Sequence, residues 1–151
     1  MPYKFNISNK EGKTFKLESE SEALDGKKLN DTLLGKDISP ELEGYEFEIT
    51  GASDKSGFTH MKGVEGFTMK KKLLDYGKGM HKRPKREGKK KQSNPTPGGL
   101  RLRKTVRGEV LSEKTSQVNL KILKEGKKKL SEVFPDQNKS PDSEQTQENK
   151  E

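Results

Sequence analysis

Apolar and polar side chains alternate along three stretches of this chain. Tyr3, Phe5 and Ile7 are interleaved with Lys4 and Asn6. Tyr45, Phe47 and Ile49 alternate with Glu46, Glu48 and Thr50, and Val118, Leu120 and Ile122 with Asn119 and Lys121. A period of two sends successive side chains to opposite faces, so each stretch predicts a half-buried strand. Asn9-Lys10-Glu11-Gly12 reads as a turn, and Thr14 to Leu17 as the second strand of a hairpin with the first. Glu22-Ala23-Leu24 predicts one helical turn ending at Gly26, and Leu29, Leu33 and Leu34 are core candidates closed by Gly35. Pro40 and Gly44 bracket a turn.

Regularity then breaks down. Gly51 to Gly57 reads as a loop of residues that favour positive φ or Asx turns. Phe58, Met61, Val64 and Phe67 are scattered among Gly63 and Gly66, which predicts an irregular, partly buried excursion, and Leu73, Leu74 and Tyr76 return the chain briefly to the core. Residues 77–100 hold five Gly and three Pro with almost no apolar side chain, so an extended loop is expected. Thr105-Val106 and Val110-Leu111 flank Gly108. After Gly126, Leu130, Val133 and Phe134 form one stripe at i, i+3 and i+4, the mark of a short helix that Pro135 ends. Residues 136–151 carry no apolar side chain and are expected to be a disordered polar tail.

Short strands, Gly-rich turns and little helix predict a mainly β fold. A small antiparallel β-barrel with a long basic loop, a short C-terminal helix and a disordered tail is the economical form, because closure removes exposed edges. The expected organisation is one domain over residues 1–134, including the basic loop 77–107, followed by the tail 135–151.

Charge changes the picture more than any motif. The chain has 32 Lys and Arg against 24 Asp and Glu, a net charge of +8. Residues 70–107 alone hold 15 basic side chains against Asp75 and Glu87, a local charge of +13, whereas residues 1–69 sum to −4 and 108–151 to −1. Cations packed this way repel one another, and the repulsion is relieved against a polyanion whose condensed counterions are released. A solvated loop without a partner is the bland alternative. Interleaving with Arg, Gly and Pro between strand-like segments favours nucleic acid, and places Lys70, Lys71, Lys72, His81, Lys89, Lys90 and Lys91 on its surface with the neighbouring Lys and Arg. Nine aromatic residues and no Trp argue against base stacking as the main mode, and for phosphate and shape recognition.

Other chemistry finds little support. A hydrophobic fraction of 25% and a charged fraction of 37% allow only a small core. Without cysteine there is no disulfide, thiolate ligand or Cys nucleophile. No secretory leader and no apolar run long enough for a membrane helix is expected. In the Gly51–Gly57 loop Lys55-Ser56 follows Asp54 and not Gly, so the phosphate-loop order is wrong. His60 and His81 lack the convergent ligands of a metal site. Glu41, Glu43, Glu46 and Glu48 line the wet face of a strand and are not a catalytic pair. Neither enzyme nor cofactor is expected.

Four blocks, Gly44–Phe58 (GYEFEITGASDKSGF), His81–Lys91, Arg101–Leu123 (RLRKTVRGEVLSEKTSQVNLKIL) and Glu125–Phe134, occur in an order that resembles the archaeal form of the S6e-type small-subunit ribosomal proteins. The resemblance implies a small β-barrel packed on small-subunit ribosomal RNA beside neighbouring ribosomal proteins, in the cytoplasm, with neither catalysis nor cofactor. It implies RNA contacts at Lys55, Lys82, Arg83, Lys85, Arg86, Arg101, Arg103, Lys104 and Arg107. The chain departs from the family pattern at Thr59-His60-Met61 and at Ser93–Leu100. A non-ribosomal adaptor, binding protein through its acidic face and held near nucleic acid by the basic loop, is the alternative.

Overall fold

The computed structural model describes residues 2–77, 79, 80, 98–135 and 137. Among the described residues seven strands form two sheets. Strands β1 (Tyr3–Ser8) and β2 (Thr14–Ser19) make the expected hairpin, with Phe5 opposite Leu17 and Ile7 opposite Phe15. A short β3 (Thr32–Leu34) pairs with β4 (Glu46–Asp54), and β7 (Thr115–Lys124) lies between β4 and β1. The order is therefore β2-β1-β7-β4-β3, antiparallel except for the parallel β1–β7 pair at its centre. Single 3-10 turns at Glu22–Leu24, Gly35–Asp37 and Pro40–Leu42 carry the chain around β3.

The alternation read from the sequence sorts this sheet cleanly. Phe5, Ile7, Phe47, Ile49, Val118, Leu120 and Ile122 are buried on one face, joined by Leu24, Leu33, Leu42 and Leu111. The other face is polar, and at its centre the Asn119 side-chain oxygen accepts from the amides of Asn6 (3.0 Å) and Gln117 (3.2 Å). Helix α1 (Leu130–Val133) covers one end of the core, where Phe134 packs its ring on Phe15 at 5.9 Å. Gly126 is required there, since a Cβ would stand 2.5 Å from the Tyr45 ring.

The sheet does not close into a barrel. Its outer strands, β2 and β3, are not paired with each other. The edges are handled by other means: β3 has three residues, and Gln137 caps β2, its side-chain oxygen accepting from the Lys16 amide (2.7 Å) and its amide donating to the Lys16 carbonyl (2.8 Å). Residues 136 and 138–151 of the expected tail lie outside the described residues.

Strand β4 runs four residues into the expected loop, as far as Asp54. Register shifts between Ile49 and Gly51 and between Ser53 and Asp54 let it stay paired with β7 while bending. Leu34, expected in the core, points outward from the edge strand.

Strands β5 (Met69–Asp75) and β6 (Arg101–Arg107) form a separate antiparallel ribbon, with Leu74 opposite Leu102 and Lys72 opposite Lys104. Its inner face has its own small core of Val64, Leu74, Met80 and Val106. Neither strand shows clear alternation in the sequence, because cations occupy both faces.

Candidate nucleic-acid interface

The ribbon holds most of the described cations expected to meet nucleic acid. Lys70, Lys71, Arg101 and Arg103 are exposed, and Lys72 and Lys104 are half-buried opposite each other. Lys70 donates to the Glu65 carbonyl (3.0 Å), and Arg101 is held by Asp75 through Nε at 2.9 Å. A shallow crevice of about 330 Å³ beside β5 is lined by Gly63, Val64, Glu65 and the three lysines Lys70–Lys72. Lys55 stands apart, exposed in the turn after β4. His81, Lys82, Arg83, Lys85, Arg86, Lys89, Lys90 and Lys91 lie outside the described residues.

Arg107 does not belong with these. Although it closes the RLRKTVR run, it is only 3% exposed and its Nη1 donates to Asp54 Oδ2 at 2.8 Å. Both partners are buried, so the pair joins the end of β6 to the end of β4 inside the protein. Asp54 Oδ1 turns the other way and accepts from the Ser56 amide (2.6 Å), which ties the tight turn at Gly57 to the same carboxylate. The segment between is threaded past this pair by backbone bonds from Arg107 N to Thr59 O (2.9 Å), from His60 N to Ala52 O (2.9 Å) and from Met61 N to Arg107 O (3.1 Å).

His60 sits at the centre of the junction, fully buried. Its Nδ1–H donates to the Gly108 carbonyl (2.7 Å), which leaves Nε2 to accept from the Thr115 hydroxyl (3.1 Å). Both ring nitrogens are used by a neutral imidazole. Burial holds its pKa below the usual 6.5 and the nearby Arg107 charge adds to this, against opposing contributions from the Gly108 carbonyl and Asp54. Gly108 admits the close approach of a second strand, since a Cβ there would fall 1.8 Å from the Gly66 carbonyl oxygen. Nothing in local sequence reports this junction. Its parts, Asp54, His60, Arg107 and Thr115, come from four separate segments.

Among the described residues, no group of three or more His, Cys, Asp or Glu side chains is placed to hold a metal ion. No helix among them is long and apolar enough to cross a membrane.

Comparison with known proteins agrees with the resemblance read from the sequence. Residues 3–135 match the family model described as ribosomal protein S6e. A protein of Methanosphaera stadtmanae named small ribosomal subunit protein eS6 is 36% identical over 137 residues, covering 89% of this chain and 93% of its own. Its namesakes in Methanococcus maripaludis (strain C6) and Methanocaldococcus jannaschii are 36% and 33% identical over 127 and 132 residues. They cover 83% and 87% of this chain, and 90% and 89% of their own lengths. Spanning both sheets and the basic run between β5 and β6, the match shows that this chain belongs to the ribosomal protein S6e family.

Proposed function

We propose that this chain is a structural, non-catalytic constituent of the small ribosomal subunit in the cytoplasm, and that it binds ribosomal RNA through the cations of the β5–β6 ribbon and the basic run the ribbon bounds. Family membership supports the first part. The observation that supports the second is the segregation of charge: +13 over residues 70–107 against −4 and −1 in the flanks. Lys70, Lys71, Arg101 and Arg103 open on solvent. Lys55, Lys72 and Lys104 complete the described part of the contact set, and His81, Lys82, Arg83, Lys85, Arg86, Lys89, Lys90 and Lys91 extend it through the sequence between the strands. Arg107 is left out, because its guanidinium is committed to Asp54 inside the protein. The chemistry needed is electrostatic, with each neutralised phosphate steepening the salt dependence.

Sedimentation of a native lysate at moderate and high salt tests the first part. The chain is expected with the small subunit under both conditions, and its remaining at the top of the gradient would overturn the assignment in favour of an adaptor. For the second part, binding of the purified chain to small-subunit ribosomal RNA should fall steeply with salt, by about 0.7–0.9 in log–log slope per contact. Replacing Lys82, Arg83, Lys85 and Arg86 together by Ala should flatten that slope by roughly 3 if all four meet phosphate. An unchanged slope would remove the basic run from the interface.

A further inference from the structure

Between the end of β6 and the start of β7 the chain forms one wall of a cleft of about 420 Å³. Three segments build it. Gly26 N donates to Leu111 O (3.2 Å) and Leu111 N to Lys27 O (2.8 Å), which fixes the chain before β3 against the chain after β6. Val110 N donates to Gly66 O (3.2 Å) and so brings in the bend that carries Phe67 ahead of β5. Phe67, Val110 and Leu111 make the walls mainly apolar, and Asp25, Glu113 and Lys114 supply the charge. Phe67 stands largely in water, 58% exposed.

The charge of this cleft runs against that of the chain. Asp25 and Glu113 are both exposed, and among the described residues neither forms an ion pair. Asp25 Oδ1 accepts from the Tyr3 hydroxyl at 3.0 Å. Burial, that bond and the charges of Asp25 and Glu113 together push the hydroxyl's pKa up to about 12, so both acids act on one point. Lys114 is the single cation in the lining.

Two carboxylates beside an exposed aromatic ring suit a Lys or Arg side chain. The cation meets the acids while its stem or guanidinium plane lies on the ring. Phosphate is repelled by the same acids, so the cleft does not continue the cationic surface of the ribbon. The chain's own charged segments suit it poorly. Residues 136–151 carry five acids against Lys139 and Lys150. The basic run leaves β5 at Asp75, roughly 20 Å along the strand from Met69.

We propose that this cleft receives an extended basic segment of a neighbouring small-subunit protein, which sets a Lys or Arg against Asp25 and Glu113 and an apolar side chain on Phe67 and Val110. This rests on the reading of the chain as a small-subunit constituent. It gives the molecule two faces of opposite preference, the ribbon for RNA and the cleft for protein.

The test places the photo-cross-linker p-benzoylphenylalanine at position 67 of the whole chain, in purified small subunits that are then irradiated. Position 114, in the same lining, serves if 67 is not tolerated. The expected adduct is with another protein of the subunit, on a segment whose nearest Lys or Arg is found by sequencing. Glu113→Lys should lower its yield by about tenfold or more, since like charges then face each other. Glu113→Asp should keep the yield, and reversing the partner's cation to Glu should restore it in the Glu113→Lys background. An adduct with RNA, with residues 81–97 of this chain or with a second copy of it would overturn the proposal. So would no adduct, or a yield that Glu113→Lys leaves unchanged. Absence of the parent chain from the small subunit would instead defeat the constituent reading itself, so the two failures are distinct.

Discussion

The five-stranded sheet and the two-stranded ribbon are built from the same kind of strand, yet they treat charge and apolar surface in opposite ways. On the sheet, cations are matched by acids, as in Lys4 with Glu18 and Lys124 with Glu46, and large apolar side chains face a core of some depth. On the ribbon the cations outnumber the acids, the core is a handful of residues, and Met69 and Leu73 are left outside. A two-stranded ribbon is marginal in isolation. What ties it to the sheet is the junction of Asp54, Arg107, His60 and Gly108, so the two ends of β6 do different work. Arg101 and Arg103 face solvent, whereas Arg107 anchors the strand that carries them.

Breaking the anchor should give the largest effect. Arg107→Ala leaves Asp54 buried and unpaired, and is expected to cost about 3–5 kcal/mol in denaturant unfolding. Arg103→Ala on the same strand should stay within about 0.5 kcal/mol. Equal costs would mean that β6 is not divided in this way. Gly108→Ala forces the ribbon away from the Gly66 carbonyl and should cost about 1–3 kcal/mol by the same assay.

His60 sharpens the comparison through pH. Its folded pKa is lowered by burial, so the unfolded chain takes up a proton first as pH falls below about 6.5. Stability contributed by the neutral ring is fully present above that pH and is lost as pH falls towards the folded value, at no more than about 1.4 kcal/mol per pH unit. Unfolding of the parent and of His60→Gln, compared at neutral and mildly acidic pH, should show that part of the slope in the parent alone. The smallest effect is expected on the solvent side: Arg103→Ala should reduce the salt slope of RNA binding by about 0.7–0.9 with the melting midpoint unmoved. A slope unchanged by Arg103→Ala would detach this arginine from the interface.

Alternation alone located β1, the first half of β4, β7 and the residues that become the main core, because a strand buried on one face writes its register into the sequence at every second position. The four residues at the end of β4 were missed, since the Gly51 bulge and the polar pattern of Ser53 and Asp54 resemble a loop. Strands β5 and β6 were missed for another reason: Lys70–Lys72 and Arg101–Lys104 put charge on both faces, so no period survives. An open sheet was likewise unreadable, because Gln137, the side chain that caps its edge, stands in a stretch with no pattern at all.

What the sequence determined by itself is what depends on composition and short-range order: a mainly β chain, the concentration of positive charge in residues 70–107, and membership of its family. Tertiary structure decided which of two similar arginines meets solvent. Arg103 and Arg107 share a strand and a basic neighbourhood, and they differ because β4 brings Asp54 to one of them across 53 residues of chain. A buried partner so distant leaves no local trace, and only the fold makes the pair.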